Sequence, residues 1–147
     1  MTGSTTARNI GLLIGRIGIG AIFLAHGLQK VQNGQEAMSS GFESMGVPLP
    51  AVSAFLVTWL EVLGGIALIV GALVPVVGAL FVIVMAGAYF STHADNGLWV
   101  SDGGYELVLA LGAASLILAV VGSGRFGVDG LLGGKLPFGK KKAAVAA

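Results

Sequence analysis

The chain contains no cysteine. That absence removes thiol catalysis, disulfide exchange, persulfide chemistry, thiolate metal sites and any iron–sulfur cluster held by the chain itself. A redox role would have to use a bound cofactor, a quinone or a partner protein. Charge is scarce too: 10% of the 147 residues are Asp, Glu, Lys or Arg, against about 25% in an ordinary soluble domain. The net charge of +1 and the lack of a basic, aromatic-bearing stripe give no footing for nucleic-acid binding. No metal-ligand set is assigned.

What the chain has instead is apolar length. The mean hydropathy is +0.92, and 55% of residues are hydrophobic. Four apolar stretches, at about 10–29, 51–73, 75–92 and 104–122, each approach the roughly 20 residues that span a bilayer as a helix. These stretches predict an all-α, polytopic membrane four-helix bundle over 10–132, with no separate soluble domain. A disordered lead-in is expected over 1–9 and a basic tail on the cytoplasmic side over 133–147. The first stretch is read as a span and not as a cleaved signal: Arg16 interrupts it, and Ala25-His26-Gly27 is a poor cleavage site.

Between the first two spans the chain turns polar. Met38, Phe42 and Met45 fall at i, i+4 and i+7, the narrow stripe of a short amphipathic helix or loop lying on the bundle or the membrane surface. Pro48-Leu49-Pro50 then launches the second span. Gly11 and Gly15 form a small-xxx-small pair, and Gly64-Gly65 follows Glu61 by three and four residues. Both patterns leave room for a close neighbour.

The few charges inside the spans carry the functional argument. At 100° per residue, His26 and Lys30 lie about 80° and 40° round the first helix from Arg16, on one narrow face. A charged group at membrane depth costs about 2.5–3.5 kcal/mol on insertion scales, so such residues turn inward and find partners. Rise per residue puts Glu61 near the midplane, within reach of a snorkelling Arg16, while His26, Lys30 and Glu106 gather at the opposite end from the termini. The expectation is a deep Arg16–Glu61 pair and a shallow His26/Lys30/Glu106 group. Three uses of these residues stay open. They could be ion pairs that fix helix register, or a polar pocket in which Glu61 and Glu106 handle protons while His26 and Lys30 contact a quinone or an anion. The third is a haem held between His26 and His93.

The ordered set Arg16, His26-Gly27-Lys30, Glu61-Gly64-Gly65, Gly103-Gly104-Glu106 and Gly122-Gly124-Arg125-Asp129 resembles the DoxX family from about Ile10 to Leu132. The resemblance implies a four-helix protein of the bacterial inner membrane, associated with redox or oxidative-stress complexes. It also implies oxidoreductase, superoxide dismutase or sulfurtransferase partners, and Arg16, His26, Lys30, Glu61 and Glu106 as a polar core. Arg125 and Asp129 belong to its cytoplasmic exit motif. On this reading the chain is a redox-associated membrane subunit that binds quinone in its polar core. A proton-coupled small transporter and a non-catalytic anchor or assembly factor remain alternatives, and self-association is left open.

Basic residues assign the orientation. Arg8, Arg125, Lys135 and Lys140 to Lys142 fall on one side and Lys30 alone on the other, so both termini are expected in the cytoplasm. Because the chain has no cysteine, Asp95→Cys introduces a unique thiol. In intact cells a membrane-impermeant maleimide should label it, and should leave a thiol at Thr5 unlabelled; the reverse pattern would invert the topology.

Overall fold

The computed structural model describes residues 2–132, with side chains from residue 5, so the basic tail expected over 133–147 lies outside the described residues. Within them the chain is helical, with no strand. Helix α1 runs Thr2–Asn33, α2 Gln35–Ser44, α3 Pro50–Val70, α4 Val74–Ala88, α5 Glu106–Val121 and α6 Val128–Leu131. A π-helical turn at Tyr89–His93 and short 3-10 turns at Ala94–Asn96 and Val100–Asp102 connect α4 to α5. The first, second and third apolar helices are each long enough to cross a membrane. The fourth, α5, has 16 residues, about 24 Å at 1.5 Å per residue, and completes a membrane helical bundle.

One boundary differs from expectation in a way that matters. Residues 2–9 are not a disordered lead-in: they extend α1 by two turns. Asn9, only 7% exposed, explains why this turn is fixed. Its Oδ1 accepts the Arg125 N–H at 3.0 Å and its Nδ2 donates to Thr5 O at 2.9 Å. The start of α1 is thereby tied to the chain leaving α5.

Lipid offers helices no hydrophobic reason to associate, so close packing of small residues does the work. Helix α1 packs along α3, and α4 along α5. A Cβ on Gly65 would lie 2.7 Å from Leu24 N, one on Gly20 2.7 Å from Gly65 O, and one on Gly27 2.7 Å from Val62 N. These glycines let two backbones touch. Gly78 does the same for the second pair, where a Cβ would meet Ser115 O and Ala119 N at 2.8 Å. The two pairs are joined by Phe23 of α1 stacked on Phe81 of α4, with ring centroids 3.6 Å apart and planes within 2°. Gly64 makes that stack possible, since a Cβ there would sit 2.8 Å from Phe81 Cζ. The Gly64-Gly65 pair therefore serves two neighbours, α4 and α1. Helix α2 lies against α3, with its Met38 and Phe42 stripe half-buried and Gln35 Nε2 donating to Ala51 O at 2.9 Å.

The outer surface carries the large apolar side chains, among them Ile14, Ile83 and Val120, each about two-thirds exposed. Arg16, Thr58, Glu61 and Ser115 point inward, as lipid requires. Gly65→Val should lower stability by about 1–3 kcal/mol through overpacking against α1. Gly87→Val, where a Cβ meets nothing within 4 Å, should be nearly neutral; thermal unfolding in mild detergent measures both.

Candidate functional site

Buried polarity is divided between the two ends of the α1–α3 pair. At the end carrying the α3–α4 turn, Arg16 is 1% exposed, and its partners are carbonyls. Nη1 donates to Leu68 O at 3.0 Å and Ile69 O at 2.6 Å, and Nη2 donates to Phe126 O at 2.7 Å. The last turn of a helix leaves carbonyls with no intrahelical donor. Here α3 ends on Gly71 with φ 77°, where Ala72 N–H donates to Ala67 O and Gly71 N–H to Leu68 O, a Schellman stop. Arg16 takes Ile69 O, which that stop leaves, and adds a second bond to Leu68 O, while its positive charge meets the negative end of the helix dipole. Gly71 is required twice over, by its φ and because a Cβ would lie 2.5 Å from Arg16 Nη1.

Asp129 completes this knot. Its Oδ1 accepts the Leu73 N–H at 2.8 Å and its Oδ2 the Val74 N–H at 2.9 Å, while its own N–H donates to Gly71 O at 2.9 Å. A carboxylate thus caps the start of α4, from 55 residues away in sequence. The glycine-rich exit motif is what lets the chain wrap closely enough to deliver it: a Cβ on Gly127 would collide with Ser123 Cβ at 2.6 Å. Arg125, its other charged member, is exposed, and among the described residues it is anchored through its backbone.

At the far end of the same helix pair, Lys30 Nζ donates to Glu61 Oε2 at 2.6 Å. The expected Arg16–Glu61 pair is therefore not formed; each has a different partner. Side chains on a helix lean toward its N-terminus. In antiparallel helices Arg16 leans past the end of α3, whereas Lys30 and Glu61 lean toward each other. Leu68 lies seven residues beyond Glu61, about 10 Å along α3, so the separation is large.

The Glu61 side chain is 5% exposed and that of Lys30 18%, so the carboxylate is enclosed and the pair's remaining exposure lies on Lys30. His26 sits one turn before Lys30 on the same face of α1. Thr58, one turn before Glu61, is 4% exposed, and its hydroxyl has no partner among the described residues. The unit is thus an ammonium, a carboxylate, an imidazole and an unspent hydroxyl. Glu106 is used elsewhere, its Oε1 accepting the Val100 N–H at 2.9 Å in the α4–α5 loop. His93 belongs to that loop as well, with Nδ1 2.6 Å from Gly103 O. No group of three His, Asp or Glu side chains able to hold a metal occurs among the described residues. Thr58 was missed in the sequence because a lone threonine in a span is unremarked; its i−3 spacing from Glu61 was the available signal.

The fold and these inward-facing charges define a polytopic helical membrane protein. The DoxX family profile matches residues 11–94, and the chain belongs to that family. It is similar to the Bacillus subtilis (strain 168) protein named "Putative oxidoreductase CatD", at 32% identity over 94% of this chain and 96% of that one. It is also similar to an uncharacterized protein of Haemophilus influenzae, at 30% identity over 84% of this chain and 83% of that one. "Inner membrane protein YphA" of Escherichia coli (strain K12) is 26% identical over 84% of this chain and 91% of its own. No solved structure matches.

Removing one partner from a buried ion pair strands the other, whereas replacing both by apolar residues is tolerated. Lys30→Met should cost about 3 kcal/mol, because Glu61 has no other exit to water. Glu61→Met should cost less, since Lys30 reaches the surface. The double replacement should recover most of the loss. Unfolding in detergent reads the cycle, and a double variant no better than Lys30→Met would deny the pairing.

Proposed function

We propose that this DoxX protein is an inner-membrane subunit of a redox system, and that the Lys30–Glu61 unit with His26 and Thr58 receives a quinone head group. The observation that carries the reading is the Thr58 hydroxyl, buried and unpartnered one helical turn from a buried ion pair. An unsatisfied buried hydroxyl is costly, and a ligand carbonyl would satisfy it. The name of the Bacillus subtilis relative includes the word oxidoreductase, and that of the Escherichia coli relative places it in the inner membrane. Both agree with this reading.

A quinone becomes a quinol by taking two electrons and two protons. The chain has no cysteine and so no thiol or cluster of its own to donate electrons, which are assigned to a partner oxidoreductase. What its residues supply is position and protons. Thr58 O–H would donate to a quinone carbonyl and Lys30 Nζ would share its remaining hydrogens with the same oxygen. The Glu61 carboxylate would first take up a proton through His26 and then pass it to the reduced oxygen, and the second proton would follow by the same route. Lys30 would hold Glu61 in place between turnovers.

Thr58→Val separates this reading from a structural one. It should stabilise the bundle by about 1 kcal/mol, because an unpaired buried hydroxyl is removed, and it should weaken short-chain quinone binding about ten-fold. Quenching of Trp59 fluorescence in nanodiscs would report the binding, and thermal unfolding the stability. Quinone affinity equal in wild type, Thr58→Val and Glu61→Gln, or none in any, would leave the pair as a register pin.

A further inference from the structure

A second site lies at the opposite end of α1 and owes nothing to the quinone reading. Gly11, Gly15 and Gly18 fall within about 60° of one another on α1 at 100° per residue. None serves the packing of the bundle: a Cβ on any of them meets nothing within 4 Å. With Ile22 they form one wall of a groove of about 440 Å³, whose other wall is Ala114 and Leu118 of α5. The groove is apolar and faces the lipid.

Gly11 to Ile22 covers 11 residues, about 16 Å of rise, close to the roughly 15 Å of hydrocarbon in one leaflet of a bilayer. The groove's length and apolar lining match an acyl chain that runs from a head group toward the midplane.

The mouth of the groove supplies a charge. Arg8 sits three residues before Gly11 and four before Leu12, adjacent on the helix surface, and it is exposed. The backbone of Arg125 comes to the same end of α1 from the segment after α5. Its N–H is bonded to Asn9 Oδ1 at 3.0 Å, and the preceding Gly124 lies so close that a Cβ would be 3.2 Å from Leu12 Cδ1. Leu12 itself lines the groove. Neither guanidinium is paired with a described carboxylate. Asp129, the nearby acid, has both its oxygens committed to Leu73 and Val74. Two arginines with no carboxylate partner among the described residues thus stand near the polar end of an apolar groove, the arrangement by which basic pockets between membrane helices hold anionic head groups.

We infer that this groove is a binding site for an anionic phospholipid, one acyl chain lying along Gly11, Gly15 and Gly18 and the phosphate held between Arg8 and Arg125. The full chain in mild detergent, offered equal phosphatidylglycerol and phosphatidylcholine, should retain phosphatidylglycerol preferentially by native mass spectrometry. Arg8→Gln and Arg125→Gln should each reduce that preference about five-fold, the contribution of one basic residue at an anionic surface. Gly15→Leu with Gly18→Leu should fill the groove and abolish retention of either lipid, while the helical circular dichroism is unchanged. Equal retention of the two lipids by wild type would overturn the site, as would undiminished retention in the leucine variant. Displacement of the bound lipid by millimolar inorganic phosphate would count against it, because the chain contact would then contribute nothing. Efficient disulfide dimers of Gly15→Cys in bilayers would assign the face to a second copy and overturn the proposal.

Discussion

A helix that ends within or near a membrane exposes carbonyl groups where there is little water to take them. The arrangement of this protein depends on how α3 meets that constraint. A Schellman stop at Gly71 absorbs part of the deficit, and Arg16, from the neighbouring helix, absorbs the carbonyls of Leu68 and Ile69. Because Arg16 also bonds Phe126 O, the same guanidinium joins α1, α3 and the segment after α5. Asp129 then caps α4 from that segment. One arginine and one aspartate on opposite sides of a three-residue turn hold the turn, the first helix and the last segment together.

The number and kind of helices were legible in the sequence, because apolar runs of span length admit few other readings. So were the buried charges: Arg16 and Glu61 do turn inward. Their pairing was not read correctly, and the error has a physical cause. Depth was estimated from the position of the backbone alone, with side-chain length allowing a reach in either direction. On a helix that reach is directional, toward the N-terminus, and this sends Arg16 and Glu61 of antiparallel helices apart. Applied to Lys30 and Glu61, the same rule brings them together. Asp129 was visible as part of a motif, but not as a cap. Capping signals are local in sequence, and this cap acts across 55 residues.

The glycines show a different limit. Gly11 with Gly15 and Gly64 with Gly65 look alike in sequence, each a place where a close neighbour is permitted. In the fold they divide. Gly20, Gly27, Gly64, Gly65 and Gly78 stand where a Cβ would collide with a neighbouring helix, while Gly11, Gly15 and Gly18 stand in open space. Small residues state that approach is allowed, and only the helix register decides whether anything approaches. Register here follows from Phe23 on Phe81 and from the polar contacts at both ends of the α1–α3 pair. None of these is a periodic signal that could be read in advance.

Three buried polar atoms have no partner among the described residues: Arg16 Nε, Thr58 Oγ1 and Ser115 Oγ. They do not carry equal weight. Arg16 already has three carbonyl bonds, and its Nε lies behind a group whose charge is well compensated. Ser115 lies where Gly78 brings α4 onto the α5 backbone, so a small residue is needed there and its hydroxyl is incidental to its size. Thr58 has neither excuse. It is branched, so small size does not account for it, and valine would fill the same space without stranding a hydroxyl. It is also the one of the three on the same face as a carboxylate whose ammonium partner holds the pair's remaining exposure. On the proposed reading, a polar molecule received beside Glu61 is what that hydroxyl serves.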